Sequence, residues 1–246
     1  TAPFHDYALT ISGGTDKLTY LISGGYLKQD DILLNAGFDK YSATMKAQYK
    51  ASDRICIGIN LSPNFTTQRL CAPEDDYSSL TGAAVLLPPI IPVYKQDGTP
   101  SDVNSYGILG YNMVNRLTIA ENYKMTQKNF FLLSNAYLEV ELLKGLTARS
   151  SIGANILDNK YRFFQAQGMQ GQGLYPVTAL ELNSTRTINW LNENTLTYKT
   201  TFNRDHRLEV LAGYTVQKVS FESNGANANA FSSNLAQTVN FGTVQC

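Results

Sequence analysis

Glu139 and Glu141 stand two residues apart in the run YLEVELL, a spacing that places both carboxylates on one side of an extended chain. Paired carboxylates are the machinery of glycoside hydrolysis. No further acid or nucleophile accompanies this pair, so solvated or lumen-lining charges are the reading of it. The acidic run Glu74, Asp75 and Asp76 offers hard oxygens of the kind Ca²⁺ takes, but without the alternating spacing of an EF-hand loop. In GMQGQG, Gly168, Gly171 and Gly173 are not followed by the Gly-Lys-Ser/Thr of a phosphate loop, and the segment reads as a flexible connection. His5, His206, Cys56, Cys71 and Cys246 are scattered, with neither metal-ligand spacing nor a serine or cysteine beside either imidazole. The expectation is a chain with no catalytic residue, no metal and no cofactor. What remains is recognition. Tyr77, Tyr94, Tyr106, Tyr111, Phe163, Phe164 and Tyr175 lie in segments rich in Asn, Gln and Ser. Aromatic rings stack on apolar sugar faces while amides satisfy hydroxyl groups, so these seven are candidate ligand-binding residues. The same rings equally suit packing of the loops against one another, and both readings stay open.

The elements that carry these residues are strands. From Tyr41 to Lys50, Tyr, Ala, Met, Ala and Tyr alternate with Ser, Thr, Lys, Gln and Lys, the period-two pattern of a strand with one apolar and one polar face. Ile55, Ile57, Ile59 and Leu61 repeat it, as do Phe130 to Leu142, Leu146 to Ile156 and Leu208 to Val216, with weaker versions at Tyr7 to Ser12, Leu18 to Leu27 and Ile188 to Thr200. This gives eight strands, several of ten or more residues, against roughly five or six in common sheets. Helical periodicity is hard to find. The 246 residues carry 20 basic and 20 acidic side chains, 16% charged in all, which argues against a nucleic-acid partner because phosphates demand excess Lys and Arg. No apolar run is long enough for a membrane-spanning helix. The opening TAPFHDYALT lacks the basic start and apolar stretch of a signal peptide.

Loop lengths add a separate signal. Short connections at residues 14–17, 51–53, 143–145 and 203–205 alternate with longer ones at 29–36, about 67–128, about 158–186, and a tail from 222. An up-and-down meander then has tight turns at one end and long loops at the other, as in outer-membrane barrels. Ten residues tilted by about 40° cross the hydrocarbon layer. Tyr7, Tyr26, Tyr41, Tyr49 and Tyr198 fall toward strand ends, where amphipathic rings suit a membrane boundary, although tyrosine also has high strand propensity. The fold class expected is all-β, an antiparallel meander forming one partial β-barrel domain over residues 1–246, an arc of a larger transmembrane barrel. Its outer strands would present unpaired backbone groups that hydrocarbon cannot satisfy.

The segment LTISGGTDKLTYLISGGYLKQDDIL, followed in order by LPPIIPVYKQDGT, YLEVELLKGLTARSSIGANI and NWLNENTLTYKTTFNRDHRLEVLAGYTVQK, resembles the barrel of SusC/RagA-like TonB-dependent outer-membrane transporters, the nutrient importers typical of Bacteroidetes. That resemblance implies a bacterial outer-membrane location, a barrel of about 22 strands around a plug domain, a SusD-like surface lipoprotein over the outer mouth, and TonB as the energy source. Plug and TonB-contacting segment are absent from these residues, so the chain reads as an internal piece of the barrel. Import of oligosaccharides or peptides, with contact to outer-membrane lipid and no chemistry, is the expected role. The contrasting possibility is a soluble all-β carbohydrate-binding module, in which the apolar faces pack on each other at a separation of about 10 Å.

Overall fold

The structure, a computed structural model, describes residues 2–71, 85, 88–101, 106, 115–166, 178–202, 205–231 and 243–245. One antiparallel sheet takes in every strand among the described residues, in the order β1 to β9. These are β1 Phe4–Gly14, β2 Leu18–Asp30, β3 Gly37–Ser52, β4 Ile55–Leu70, β5 Tyr123–Leu143, β6 Leu146–Gln165, β7 Ala179–Phe202, β8 His206–Asn229 and the short β9 Thr243–Gln245. Each pairs only with its neighbours in sequence, and β1 does not close on β9. The expected meander is therefore present, as an open sheet.

Register explains why the alternation in the sequence matters. Ile57 faces Tyr49 on β3 and Leu138 on β5, and Leu138 in turn faces Ser150. In this way most apolar positions of β1 to β8 share one face and most polar positions the other, with Phe131, Leu133 and Leu157 among the apolar residues on the polar side. No second sheet covers the apolar face among the described residues. Leu9 is 70% exposed, Ile57 45% and Val210 51%, so the packed double layer of a soluble sandwich is not what the chain forms. The buried apolar cluster is small and lies at the long-loop end, where Phe164, Ala166, Leu180 and Ala228 meet Phe231.

Three details depart from the sequence reading. The strands run further toward the long loops than the alternation indicates: β4 reaches Leu70, β6 reaches Gln165, β7 starts at Ala179 and β8 extends to Asn229. Beyond the apolar stretch both faces become mixed in character, so the period disappears while the backbone ladder continues. A proline sits inside a strand paired on both sides: Pro63 of β4 opposes Leu132 on β5, while toward β3 the ladder skips from Asn64 to Leu61. A missing N–H is tolerated where the ladder already opens. A seven-residue helix, α1 Arg116–Asn122, precedes β5. Its start is fixed by Asn115, whose Oδ1 accepts the backbone N–H of Leu117 at 2.9 Å, the N-cap interaction.

The tight turn after β5 needs glycine. Gly145 has φ +81, a conformation costing an L-residue about 1–2 kcal/mol, and a Cβ there would collide with the Lys199 carbonyl oxygen. That strand neighbour also donates its N–H to the Gly145 carbonyl at 2.7 Å. Gly145→Val is expected to lower stability by about 2 kcal/mol, measured as the urea midpoint of the folded, heat-modifiable gel band. An unchanged midpoint would show that the turn is not constrained as described.

Candidate polar wall and aromatic girdle

On the apolar face an aromatic row crosses the sheet. Tyr7 pairs with Tyr26, Tyr26 with Tyr41, Tyr41 with Phe65 and Phe65 with Phe130, and the Tyr26 and Tyr41 rings lie 4.9 Å apart. Toward the tight turns, Tyr20 and Tyr49 on the same face mark the other boundary, between Leu18, Ala47 and Ile57. From Tyr41 to Tyr49 an antiparallel strand advances about 27 Å, comparable to the roughly 25 Å apolar band of a transmembrane barrel once tilt is included. The clustering of tyrosines at strand ends is thus a girdle in register.

The opposite face is richer in amides and hydroxyls, though Phe131, Leu133 and Leu157 also lie on it. Near the long-loop end, Asn129 accepts from Asn159 and donates to Thr66 Oγ1 at 3.2 Å, Gln127 donates to Asn129 at 3.4 Å, and Asn183 donates to Glu181 at 2.6 Å. Above this ladder Tyr123 and Phe163 are in tilted contact, with ring centroids 5.5 Å apart. Lower on the wall, Glu139 pairs with Arg149 at 3.5 Å, and the Arg149 guanidinium lies 4.0 Å from the centre of the Tyr137 ring. Gly58, opposite Tyr137 on β4, leaves the space that the ring occupies: a Cβ there would overlap it. Glu141 also lies on the wall, opposite Thr147. The two glutamates expected to be solvated charges are on the polar face, one of them held by a cation.

The aromatic candidates among the described residues do not form one site. Phe163 and Phe164 belong to β6 and not to a loop. Because successive residues of a strand point to opposite faces, Phe163 joins the wall, whereas Phe164 is turned under Phe231 and is 1% exposed. A ring so enclosed has no face for a ligand, and Phe164 is corrected to a packing residue. Tyr94 and Tyr106 are 55% and 44% exposed and make no ring contact with each other. Tyr77, Tyr111 and Tyr175 lie outside the described residues, as do Glu74, Asp75, Asp76, Gly168, Gly171 and Gly173. Among the described residues no group of His, Cys, Asp and Glu could hold a metal ion.

Sequence reasoning missed Asn115, which is 2% exposed. Besides capping α1 it donates to the carbonyls of Val93 and Ser101 at 3.0 and 2.8 Å, pinning the proline-rich loop. In that loop Ile91 is buried and Ile90 exposed, so the apolar strip is half anchor and half surface. Its tip is the expected turn: Gly98 donates to the Lys95 carbonyl at 3.0 Å, and the Asp97 carboxylate is held below its ordinary pKa by hydrogen bonds from the Thr99 hydroxyl and N–H. Only an isolated amide capable of both donating and accepting at this spacing could have signalled Asn115, and the sequence has many such residues.

No protein-family model matches the chain. Over 95% of its length it is 27% identical to TonB-dependent receptor P3 of Formosa agariphila, and over 90% it is 26% identical to TonB-dependent receptor P26 of the same organism. The backbone superposes on the RagAB peptide importer in its open-open state with a TM-score of 0.82, 98% of the chain being covered at 21% identity. The resemblance to SusC/RagA-like TonB-dependent transporters stands. The chain spans 23% and 22% of the length of those two receptors, and 27% of the importer chain. An arc of a TonB-dependent barrel has one face toward the lumen, and the wall described above is the polar candidate for it.

Packing of Tyr137 over Gly58 is testable as a coupled pair. Gly58→Leu alone is expected to cost about 1–3 kcal/mol by overpacking. Gly58→Leu combined with Tyr137→Ala should recover most of that loss in the urea midpoint, whereas simply additive losses would show that the ring does not occupy the space above Gly58.

Proposed function

We propose that the chain forms part of the barrel wall of an outer-membrane importer of oligosaccharides or peptides, its apolar face against lipid and its polar wall against the aqueous lumen. A single observation carries this reading: an uncovered apolar band, bounded by aromatic rows in register, backs directly onto a hydrogen-bonded polar wall. Such a sheet is unstable in water and matched to a bilayer, because exposed contiguous apolar surface of this extent has no aqueous use. Both relatives are TonB-dependent receptors and the superposed structure is a peptide importer, which supports the same direction.

The wall supplies binding without chemistry. Amide groups of Gln127, Asn129, Asn159 and Asn183 alternate donor and acceptor, suited equally to sugar hydroxyls and peptide groups. Tyr123 and Phe163 give the same end an aromatic platform, and the exposed rings of Tyr94 and Tyr106 offer contact surface on the loops. A SusD-like lipoprotein over the long-loop end and energy coupling through TonB complete the proposal, the exposed Ile90 edge of the pinned proline loop being the part of this chain suited to an apolar lid contact.

The membrane reading is tested with two neighbouring residues of β6. Ile152 lies on the apolar face and is 58% exposed, whereas Ser151 lies on the wall opposite Glu193. Ile152→Arg is expected to destabilise the protein in lipid by about 2–4 kcal/mol, and Ser151→Arg, with a carboxylate beside it, by less than about 1 kcal/mol. Urea titrations in lipid vesicles read both; equal effects, or the reverse order, refute the assignment of faces. For binding, Tyr94→Ala with Tyr106→Ala should weaken substrate affinity about tenfold or more at unchanged folded yield, measured by calorimetry with oligosaccharide and peptide libraries. Unaltered affinity would remove these rings from the site.

A further inference from the structure

Just beyond the aromatic row, on the same outward face and toward the long loops, the apolar band gives way to a basic cleft. Lys128 of β5 directly opposes Lys160 of β6, which sets their Cβ atoms only about 5 Å apart. Arg162 follows on the same face, opposite Thr126 on one side and Leu182 on the other. A cleft of about 630 Å³ is lined by these residues together with Ser184, Asn224 and Ala226, so three cations meet hydroxyl, amide and apolar groups there.

Like charges placed opposite each other on a sheet are destabilising unless an anion lies between them. Among the described residues neither Lys128 nor Lys160 forms a salt bridge, although Asp158 is two residues from Lys160 on the same face, opposite Phe130 and Arg186. Both lysines are exposed. If the apolar face meets hydrocarbon, as proposed above, this cleft stands at the depth of the headgroups of the outer leaflet, the level at which clustered Lys and Arg recognise phosphate-bearing lipids. The lysine pair stands two residues from Phe130, where the apolar band of Leu132 and Ile156 begins, and this junction of cations with apolar surface matches an anionic headgroup joined to acyl chains better than it matches a small hydrated anion.

We infer that the cleft between β5, β6 and β7 seats the phosphate of an outer-leaflet lipid, with Lys128 and Lys160 on the phosphate oxygens and the acyl chains running toward Phe130, Leu132 and Ile156 on the membrane side of the pair. This inference rests on the outward assignment of the apolar face. Bound lipid would neutralise the lysine pair and fasten the barrel wall to the leaflet where the strands leave the membrane.

The test uses the protein at its natural length, purified in detergent and titrated with dioleoylphosphatidic acid, dioleoylphosphatidylcholine, oleic acid and inorganic phosphate, with retained lipid read by native mass spectrometry. Saturable retention of phosphatidic acid is expected, weakened about thirtyfold by Lys128→Gln with Lys160→Gln and preserved by Lys128→Arg with Lys160→Arg. Phosphatidylcholine and oleic acid should be retained poorly, and millimolar inorganic phosphate should not displace the lipid. Equal retention by the glutamine variant, or full competition by inorganic phosphate, overturns the inference. A nitroxide attached at Ile152→Cys, in a background lacking the native cysteines, reports separately on lipid contact. Loss of that contact refutes the outward assignment itself, whereas contact retained alongside unchanged lipid binding by the glutamine variant refutes only the phosphate site.

Discussion

A single sheet has two faces and two edges, and the described residues satisfy only one of the four by themselves. The polar wall hydrogen-bonds within itself or to water. The apolar face is left bare from Leu9 on β1 to Val210 on β8, and the outer edge of β1, exposed at every position, has a row of backbone groups without a strand partner. Hydrophobic cover and backbone pairing must both come from outside these residues. Lipid can supply the first but never the second, since hydrocarbon offers no hydrogen bond. Further strands of a closed barrel supply the second, and the two requirements together select a membrane barrel over other all-β architectures.

Strand length adds an asymmetry that serves function. β1 to β4 have 11 to 16 residues, while β5 to β8 have 20 to 24. Ten tilted residues suffice to cross hydrocarbon, so the second half of the sheet stands well above the bilayer on the long-loop side. There the amide ladder of Gln127, Asn129 and Asn159 and the Tyr123–Phe163 pair are held by paired strands. The binding surface proposed there, built on strands, would keep its geometry better than one on loops, and the small core around Phe164 lies at the same end of the sheet.

Alternation made the middle of each strand legible from sequence, because there one face meets an apolar phase and the other does not. It failed where that contrast ends. Phe163 and Phe164 look like loop aromatics in a segment of mixed polarity, yet they are neighbours on one strand with opposite fates. The interior Pro63 reads as a breaker because a sequence does not show where a ladder has already opened. Alignment of Tyr7, Tyr26, Tyr41, Phe65 and Phe130 depends on register, which follows from the turn geometry at each hairpin and is invisible in any one strand. The seven residues of α1 are too few to display a helical period, and the two loop carbonyls that Asn115 binds are known only once the chain is folded.

Polar residues within the apolar band look at first like a contradiction of a lipid-facing role. Ser134, Asn192 and Asn194 all share the face of Leu138 and Ile152. Each, however, has its donor satisfied within the sheet or by a neighbour on the same face. Ser134 donates its hydroxyl to the Ala154 carbonyl at 2.8 Å, Asn192 gives its amide to the Ser151 carbonyl at 2.9 Å, and Asn194 donates to Asn192 Oδ1 at 2.7 Å. An unpaired amide in hydrocarbon costs several kcal/mol, so donors directed inward are what a lipid-exposed surface requires and a hydrated one does not. On the wall, by contrast, Glu139, Arg149 and Lys199 retain substantial exposure even when paired, as side chains bordering water can. Inward-turned amides are not confined to the apolar face, since Asn135 of the wall also donates to the Ile152 carbonyl at 3.5 Å; exposed ion pairs are what the wall adds.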